Sequence, residues 1–544
     1  MLNLKDISKK YPFSMLLISL LFLIKALYLS FCITPFSAVP DEIGHFAYTQ
    51  DIAYGKGIPV LSPPSTGKSV IGADIMGYVE KTTESQPAYN WIAQHPPIYY
   101  IIAAIPLKIG SLITSNVDIL YFLPRIVSAL SGALLLLVLF RTFRVVGLDS
   151  SRATAIAASI GFIPMISHLS SGTNHDMSLF LFSALATHFF ASYILKREMK
   201  SAYLCAIWLS IAGGTKMMTP LVFLVPMIFI LILEFPRSNR IKHAIGITLT
   251  SISIPAIWMI RNYIYFGSPL YTSGTNRKPG LEIALNQSFS EYIKSQPVFE
   301  SIAHTFYGML GHIEFSQGNL FLEYDVLPRH LEFNGITANG VPYDIFLFVL
   351  FTMACFCLIY ISKLAWHSIQ KDKTLHNDYS IILKINSHLV NNKYLFKLLI
   401  GSIFFASFIA ILIGHASFND PDNFKSIVFS FVPISIFLGI MAFSLVFFPL
   451  NDTDRIALYG FIITLFFGSI FLYHIYGAYL AEGVLRAVQG RYFYPIIPLI
   501  LLSASIVLMR LRIPGLIIKI GTILLACAEF SFYIKEAIPF YLSY

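Results

Sequence analysis

Residues 13–45 read FSMLLISLLFLIKALYLSFCITPFSAVPDEIGH, and both the fold and the candidate chemistry start in this stretch. From Phe13 to Thr34 the run is apolar, with Lys25 as its one charged residue. About 20 such residues cross a bilayer as a helix. Directly beyond it stand Pro40, Asp41 and Glu42, followed by Gly44 and His45. Proline is at home at or just before a helix's first turn. A carboxylate there can be held ionised by free backbone N–H groups and the helix dipole, as a general base at neutral pH must be. An N-terminal capping pair reads the same way, and local sequence leaves both readings open. His45, four residues after Asp41, shares a helical face with it. An orienting hydrogen bond, packing or a metal would each suit the pair.

Apolar blocks like the first recur along all 544 residues, of which 56% are hydrophobic and 12% charged. Mean hydropathy is +0.69. A soluble chain of this length needs more polar surface, so the blocks are read as membrane helices, which satisfy their own backbone. About thirteen spans follow, near 13–34, 122–140, 153–170, 177–195, 201–214, 219–234, 244–266, 344–362, 398–415, 427–448, 456–476, 492–508 and 514–532. The expected fold is an all-α polytopic bundle, residues 1–544 forming one transmembrane domain. The first run exceeds a signal-peptide h-region, and no small-residue cleavage site ends it, so it reads as a signal anchor.

The net charge of +9 is a topology signal. With the N-terminus in the cytoplasm, the inner loops carry Lys9 and Lys10, Arg141 and Arg144, Lys196, Arg197 and Lys200, and Arg237 and Arg240. The Lys-rich segment 363–397 also falls inside. This is the positive-inside pattern, and it argues against a nucleic-acid site. The five cysteines lie in or beside apolar blocks with no CxxC pair, which points to packing. Ser65-Thr66-Gly67-Lys68-Ser69 resembles the end of a P-loop, but Ser62 stands where its first glycine belongs.

Two large segments then face outward, 35–121 and 267–343. Within the first, His95-Pro96-Pro97 leads into apolar 98–113. A crossing there would turn every later basic loop outward, so 98–113 is read as an interfacial helix, with Tyr99 and Tyr100 at headgroup level. Four further polar clusters fall on the same side: Asn174-His175-Asp176, Lys216, Arg261-Asn262, and Arg486 with Gln489-Gly490-Arg491-Tyr492. Ionisable groups at membrane depth usually face a cavity or a partner. Carboxylates and cations together suit a phosphate-bearing substrate at the outer leaflet. Lys25, mid-span, has no evident partner in the sequence.

Three motifs carry a family resemblance: Pro40-Asp41-Glu42-x-x-His45-Phe46, His95-Pro96-Pro97-x-Tyr99-Tyr100, and Gln489-Gly490-Arg491-Tyr492-Phe493-x-Pro495. Together they resemble a bacterial membrane family formerly of unknown function. That family looks like the GT-C glycosyltransferases, which include the aminoarabinose transferase of lipid A and protein mannosyltransferases. The resemblance implies an inverting glycosyltransferase in the bacterial inner membrane, working on its extracytoplasmic face. Its donor would be a polyprenyl-phosphate-linked sugar, and its acceptor an envelope glycan such as O-antigen or lipopolysaccharide. Asp41 would be the base, with Glu42 beside it. Substrate contacts would come from His45, His95, Asn174, Asp176, Lys216, Arg261, Arg486, Arg491 and Tyr492. Some relatives place a lysine before the two prolines to touch the donor phosphate; here it is His95, which leaves that role to Arg261 or Arg491. Some GT-C relatives add a large soluble C-terminal domain. The short tail after 532 implies that the acceptor site lies in the bundle and outer loops. No cofactor is certain, and a divalent metal stays open. A polysaccharide polymerase or ligase, or a transporter of lipid-linked sugars, is the alternative.

Overall fold

A computed structural model of the chain describes residues 10–61, 90–217, 226–228, 230–232, 234–271, 288–310, 313–315, 331–333, 336–338, 340–352, 451–482 and 488–543. Pro12 precedes the first helix, α1 (Phe13–Tyr28), which widens into a π turn at Leu29–Ile33 and stops at Thr34-Pro35. One face buries Met15, Ser19, Phe22 and Ala26, while Leu17, Leu20, Leu21 and Ile24 point outward. An apolar outward face of this kind belongs against lipid.

The main helices that follow are α2 (Glu42–Ala53), α3 (Ile98–Ile113), α4 (Arg125–Val145), α5 (Ser150–Ile160), α6 (Pro164–Ser170) and α7 (Asp176–Lys196). They continue with α8 (Met199–Gly213), α9 (Arg240–Phe266), α10 (Val298–Tyr307), α11 (Asp452–Glu482), α12 (Ile497–Arg510) and α13 (Gly515–Phe532). Among the described residues six helices are long and apolar enough to cross a membrane, and α5 with α6 makes a seventh if counted as one span. The chain is a helical, multi-pass membrane protein.

Helix α7 is the central post, packed against α4, α8, α11 and α12. Apolar residues lie on all its sides, as suits a helix enclosed on most of them. Water exclusion does not drive such packing inside a bilayer; close approach and hydrogen bonds do. Helix α7 accordingly buries Ser183, Ala184, Ala186 and Ala191, and Ser178 meets Ser131 of α4 at 2.9 Å between hydroxyls.

Several expectations change. The span expected at 153–170 is bent by 70° between α5 and α6. Pro164 cannot donate a helical hydrogen bond and pushes Ile163 into extended backbone, so an apolar run becomes two helices. Tyr99 and Tyr100 were expected at headgroup level, yet both are fully buried. They form hydrogen bonds to Ser128 and His45, because α3 packs its tyrosine face onto α2 and α4. The all-α fold holds, and segment 267–343 adds two small antiparallel ladders, Met309–Leu310 with Ile336–Thr337 and Ile313–Phe315 with Leu331–Phe333. The expected spans 398–415 and 427–448, the loop 363–397, and Ser65–Ser69 lie outside the described residues.

Lys25 has a partner after all. Its Nζ lies 2.8 Å from both carboxylate oxygens of Glu529 in α13, and 2.8 Å from the Gly161 carbonyl. That carbonyl sits at the break between α5 and α6, where the ladder is interrupted. The Ser167 hydroxyl completes the carboxylate's shell. Lys25 thus ties the first and last described spans to the broken one. Removing one charge strands the other in a largely apolar setting. Lys25→Met or Glu529→Gln is therefore expected to cost about 3 kcal/mol, the low end for buried pairs because the lysine is part exposed. Thermal melting in one detergent checks this; midpoints equal to wild type would refute the role.

Candidate active site

The Pro40-Asp41-Glu42 turn is built around Arg125 at the start of α4, a residue that is wholly buried. Its Nε and Nη2 donate to the two oxygens of Glu42 at 2.7 and 2.8 Å. Its remaining donors reach the carbonyls of Ser30, Thr34 and Pro35 at 2.7 to 2.9 Å. Glu42 also accepts from the backbone N–H groups of Ser37 and Thr173, at 2.9 and 2.7 Å. A carboxylate offers about four acceptor positions, and all four are taken. Glu42 was paired with Asp41 as a catalytic candidate; in this geometry it anchors the turn. Val39 packs so closely on Gly172 that a Cβ there would meet it at 2.3 Å, which joins the turn to the loop before α7.

Asp41 is held differently. It occupies the N-cap position of α2 in the left-handed region, φ 60°, and its side chain makes no cap hydrogen bond. The capping reading therefore fails. Asp and Asn are the non-glycine residues that best tolerate this conformation. The freed carboxylate is 41% exposed, accepts from the Trp91 indole N–H at 2.9 Å, and lies 3.6 Å from Arg491.

Arg491 reaches the same place from the other end of the chain. A Cβ on Gly490 would meet the Ile302 carbonyl at 2.0 Å, and the Gly490 N–H donates to Thr305 at 2.6 Å. Only glycine lets the turn lie against α10 and aim the next side chain inward. Arg491 is 7% exposed, and its Nε lies 3.8 Å from Asp176 without forming a hydrogen bond. Asp176 opens α7, where the helix dipole favours a negative charge. Its other oxygen takes the ammonium of Lys216 at 3.1 Å, and that ammonium sits 4.7 Å over the Tyr492 ring. Asp176, Lys216, Arg491 and Tyr492 line one small cleft with Leu179, Tyr494 and Pro495. Two acids and two cations from four distant segments therefore meet. Asn174 works from behind, its Oδ1 accepting from the Asp176 N–H at 3.0 Å and its Nδ2 donating to the Leu169 carbonyl at 2.6 Å.

Residues 78–310 match the family described as "Predicted membrane protein (DUF2142)". The matched stretch includes His95, Asp176, Lys216 and Arg261 and stops well short of Arg491. No curated protein matches the chain. Among solved structures, it is similar to apo ArnT from Cupriavidus metallidurans, with 12% identity, 91% of this chain, 77% of that one and a TM-score of 0.35. A second similar structure is the Archaeoglobus fulgidus oligosaccharyltransferase tethered to an acceptor peptide. There the identity is 11%, the TM-score 0.40 and the coverage 95% of this chain. This chain spans 55% of that enzyme's length. At these scores neither likeness supports a correspondence of residues.

Behind the cleft, His45, His95, His175, Tyr48 and Tyr100 form a compact aromatic layer. Tyr48 stacks on Tyr100 at 3.8 Å, and the rings of His45 and His95 each lie 4.6 Å from that of His175. Burial lowers the pKa of His45 to about 4, against the pull of Asp41 and Asp176. Burial first, then Lys216, holds His95 and His175 well below the usual imidazole range. The three rings are neutral at neutral pH.

Arg261 stands apart from the two acids. It donates to the Pro59 carbonyl at 2.9 Å and lies 4.4 Å from the Trp258 ring. Arg486 lies outside the described residues. Among the described residues no three of His, Cys, Asp or Glu are placed to hold a metal ion together. Arg491 already stands between Asp41 and Asp176 and Lys216 pairs with Asp176, so these two described carboxylates do not by themselves fit a divalent ion. Arg125, Trp91 and Tyr100 were not anticipated as parts of the site; an arginine directly after Leu123-Pro124 at a span's outer end was the available signal for the first.

Proposed function

We propose that this protein is an inverting glycosyltransferase acting on the extracytoplasmic face of the bacterial inner membrane. It takes a sugar from a polyprenyl-phosphate donor and passes it to an envelope glycan such as O-antigen or lipopolysaccharide. The observation that carries the reading is the half-exposed Asp41 carboxylate beside Arg491, a guanidinium that also faces Asp176 and, through it, Lys216. Asp41 takes the proton of the acceptor hydroxyl as its oxygen bonds to the anomeric carbon. The bond from that carbon to the donor phosphate breaks, and its electron pair leaves on the phosphate. Arg491 and Lys216 meet the charge developing there from preset positions, which is where electrostatic catalysis gains most. The N-terminus lies in the cytoplasm in this orientation, as the basic loops require.

The test uses purified protein in liposomes carrying polyprenyl-phosphate-linked sugars extracted from bacterial membranes, with envelope glycan supplied as acceptor. Release of polyprenyl phosphate together with extended glycan is the expected result. Arg491→Ala should lower that release about 10²-fold or more. Two observations favour a second reading, transport of lipid-linked sugars. The bent pair α5–α6 and the mid-span Lys25–Glu529 ion pair are features of transporter cores. Movement of labelled lipid between leaflets with no phosphate release would select transport.

A further inference from the structure

The aromatic layer behind the cleft contains a hydrogen-bond chain whose direction can be worked out. The Tyr100 hydroxyl lies 2.9 Å from His45 Nδ1 and 3.2 Å from His175 Nδ1. A hydroxyl has one proton to donate, so with both rings neutral at least one Nδ1 must donate to the tyrosine oxygen. The direct 3.4 Å approach of the two Nδ1 atoms makes the other the acceptor, because two lone pairs or two protons would repel. Taken alone, this pair of contacts allows either direction.

The far side of His175 removes the ambiguity. Its Nε2 lies 3.3 Å from Asp176 Oδ1 and is otherwise buried without a hydrogen-bond partner. The contact falls outside hydrogen-bond geometry, yet its electrostatic sign is clear. A lone pair on Nε2 would face a carboxylate oxygen, whereas an N–H there would be attracted to it. His175 therefore carries its proton on Nε2 and accepts at Nδ1.

We propose that His45, Tyr100 and His175 form a one-way chain, His45 Nδ1–H to Tyr100 O–H to His175 Nδ1, which presents His175 Nε2–H to Asp176. His175 is then a positioning residue for that carboxylate. The role rests on Asp176 belonging to the active cleft. It also divides the work between the acids. Asp176 faces Lys216, Arg491 and the His175 N–H, so its oxygens are occupied in holding the two cations. Asp41 has an indole N–H and the Arg491 guanidinium at 3.6 Å, and its half-exposed carboxylate is open to the acceptor hydroxyl.

Nitrogen-15 NMR of histidine-labelled full-length protein in nanodiscs reads the tautomers directly, with no substrate present. Contacts to carbon-13-labelled tyrosine rings select the histidines beside tyrosine hydroxyls, and His45→Gln and Tyr100→Phe assign them. The expected spectrum has His175 protonated on Nε2 and His45 on Nδ1. His175 protonated on Nδ1, or His45 protonated on Nε2, overturns the chain. In the liposome assay Tyr100→Phe should lower phosphate release about 10-fold, as loss of an orienting partner typically does. A wild type with the expected tautomers but no release would reject the transferase reading and leave the chain intact.

Discussion

Arg125→Ala is expected to remove most of the folded protein from the membrane, with a loss of about 3–5 kcal/mol. The size follows from what the substitution strands. Glu42 would be left without its cation in a site with no solvent contact, supported only by two backbone N–H groups. Three carbonyls, of Ser30, Thr34 and Pro35, would lose their donors at the point where α1 ends. Unsatisfied buried groups each carry their own penalty. Arg125→Lys should rescue little, because an ammonium cannot span two carboxylate oxygens and three carbonyls with the geometry of a guanidinium. The double variant Arg125→Met with Glu42→Gln should recover part of the loss, since the stranded charge is gone. Fluorescence-detected size exclusion after solubilisation reads the folded fraction. A monodisperse Arg125→Ala peak at wild-type height would show that the anchor is dispensable. Because this anchor also sets the Asp41 backbone, loss of activity in that variant says nothing about proton transfer.

How much of this was legible in the sequence depends on the range of the interaction involved. Apolar runs and the alternation of basic loops are local or cumulative signals, and they placed Asp41, Asp176, Lys216 and Arg491 on one side of the membrane. The structure brings those four together. Helix α3 begins and ends at Ile98 and Ile113, as its apolar run implied. What could not be read were pairings between distant segments. Lys25 stood out as unpaired because Glu529 lies at the other end of the chain, and nothing in either neighbourhood names the other. The anchoring of the turn by Glu42 could not be read either, because residue type is visible in a sequence and the saturation of its lone pairs is not. The break at Pro164 was visible in principle, but hydropathy averages over a proline and returns one continuous span.

The sharpest test of the chemistry is Asp41→Asn, for which about a 10²–10⁴-fold loss of phosphate release is expected with no change in melting temperature. Asparagine is nearly isosteric with aspartate and tolerates the left-handed backbone equally well, so φ 60° carries no new strain. Its side-chain oxygen still accepts from Trp91. The Arg491 contact at 3.6 Å weakens, but that guanidinium keeps Asp176. The one property removed is the ability to take a proton. Asp176→Asn should behave otherwise. It leaves Lys216 and Arg491 close together with their common carboxylate neutralised, so repulsion should lower the melting temperature as well as turnover. Asp41→Ala adds a third pattern, since a Cβ residue without a polar side chain pays about 1–2 kcal/mol in that conformation. The three variants thus separate proton transfer, electrostatic scaffolding and backbone strain. Near-normal phosphate release by Asp41→Asn would remove Asp41 from the role of base, whatever the other two variants did.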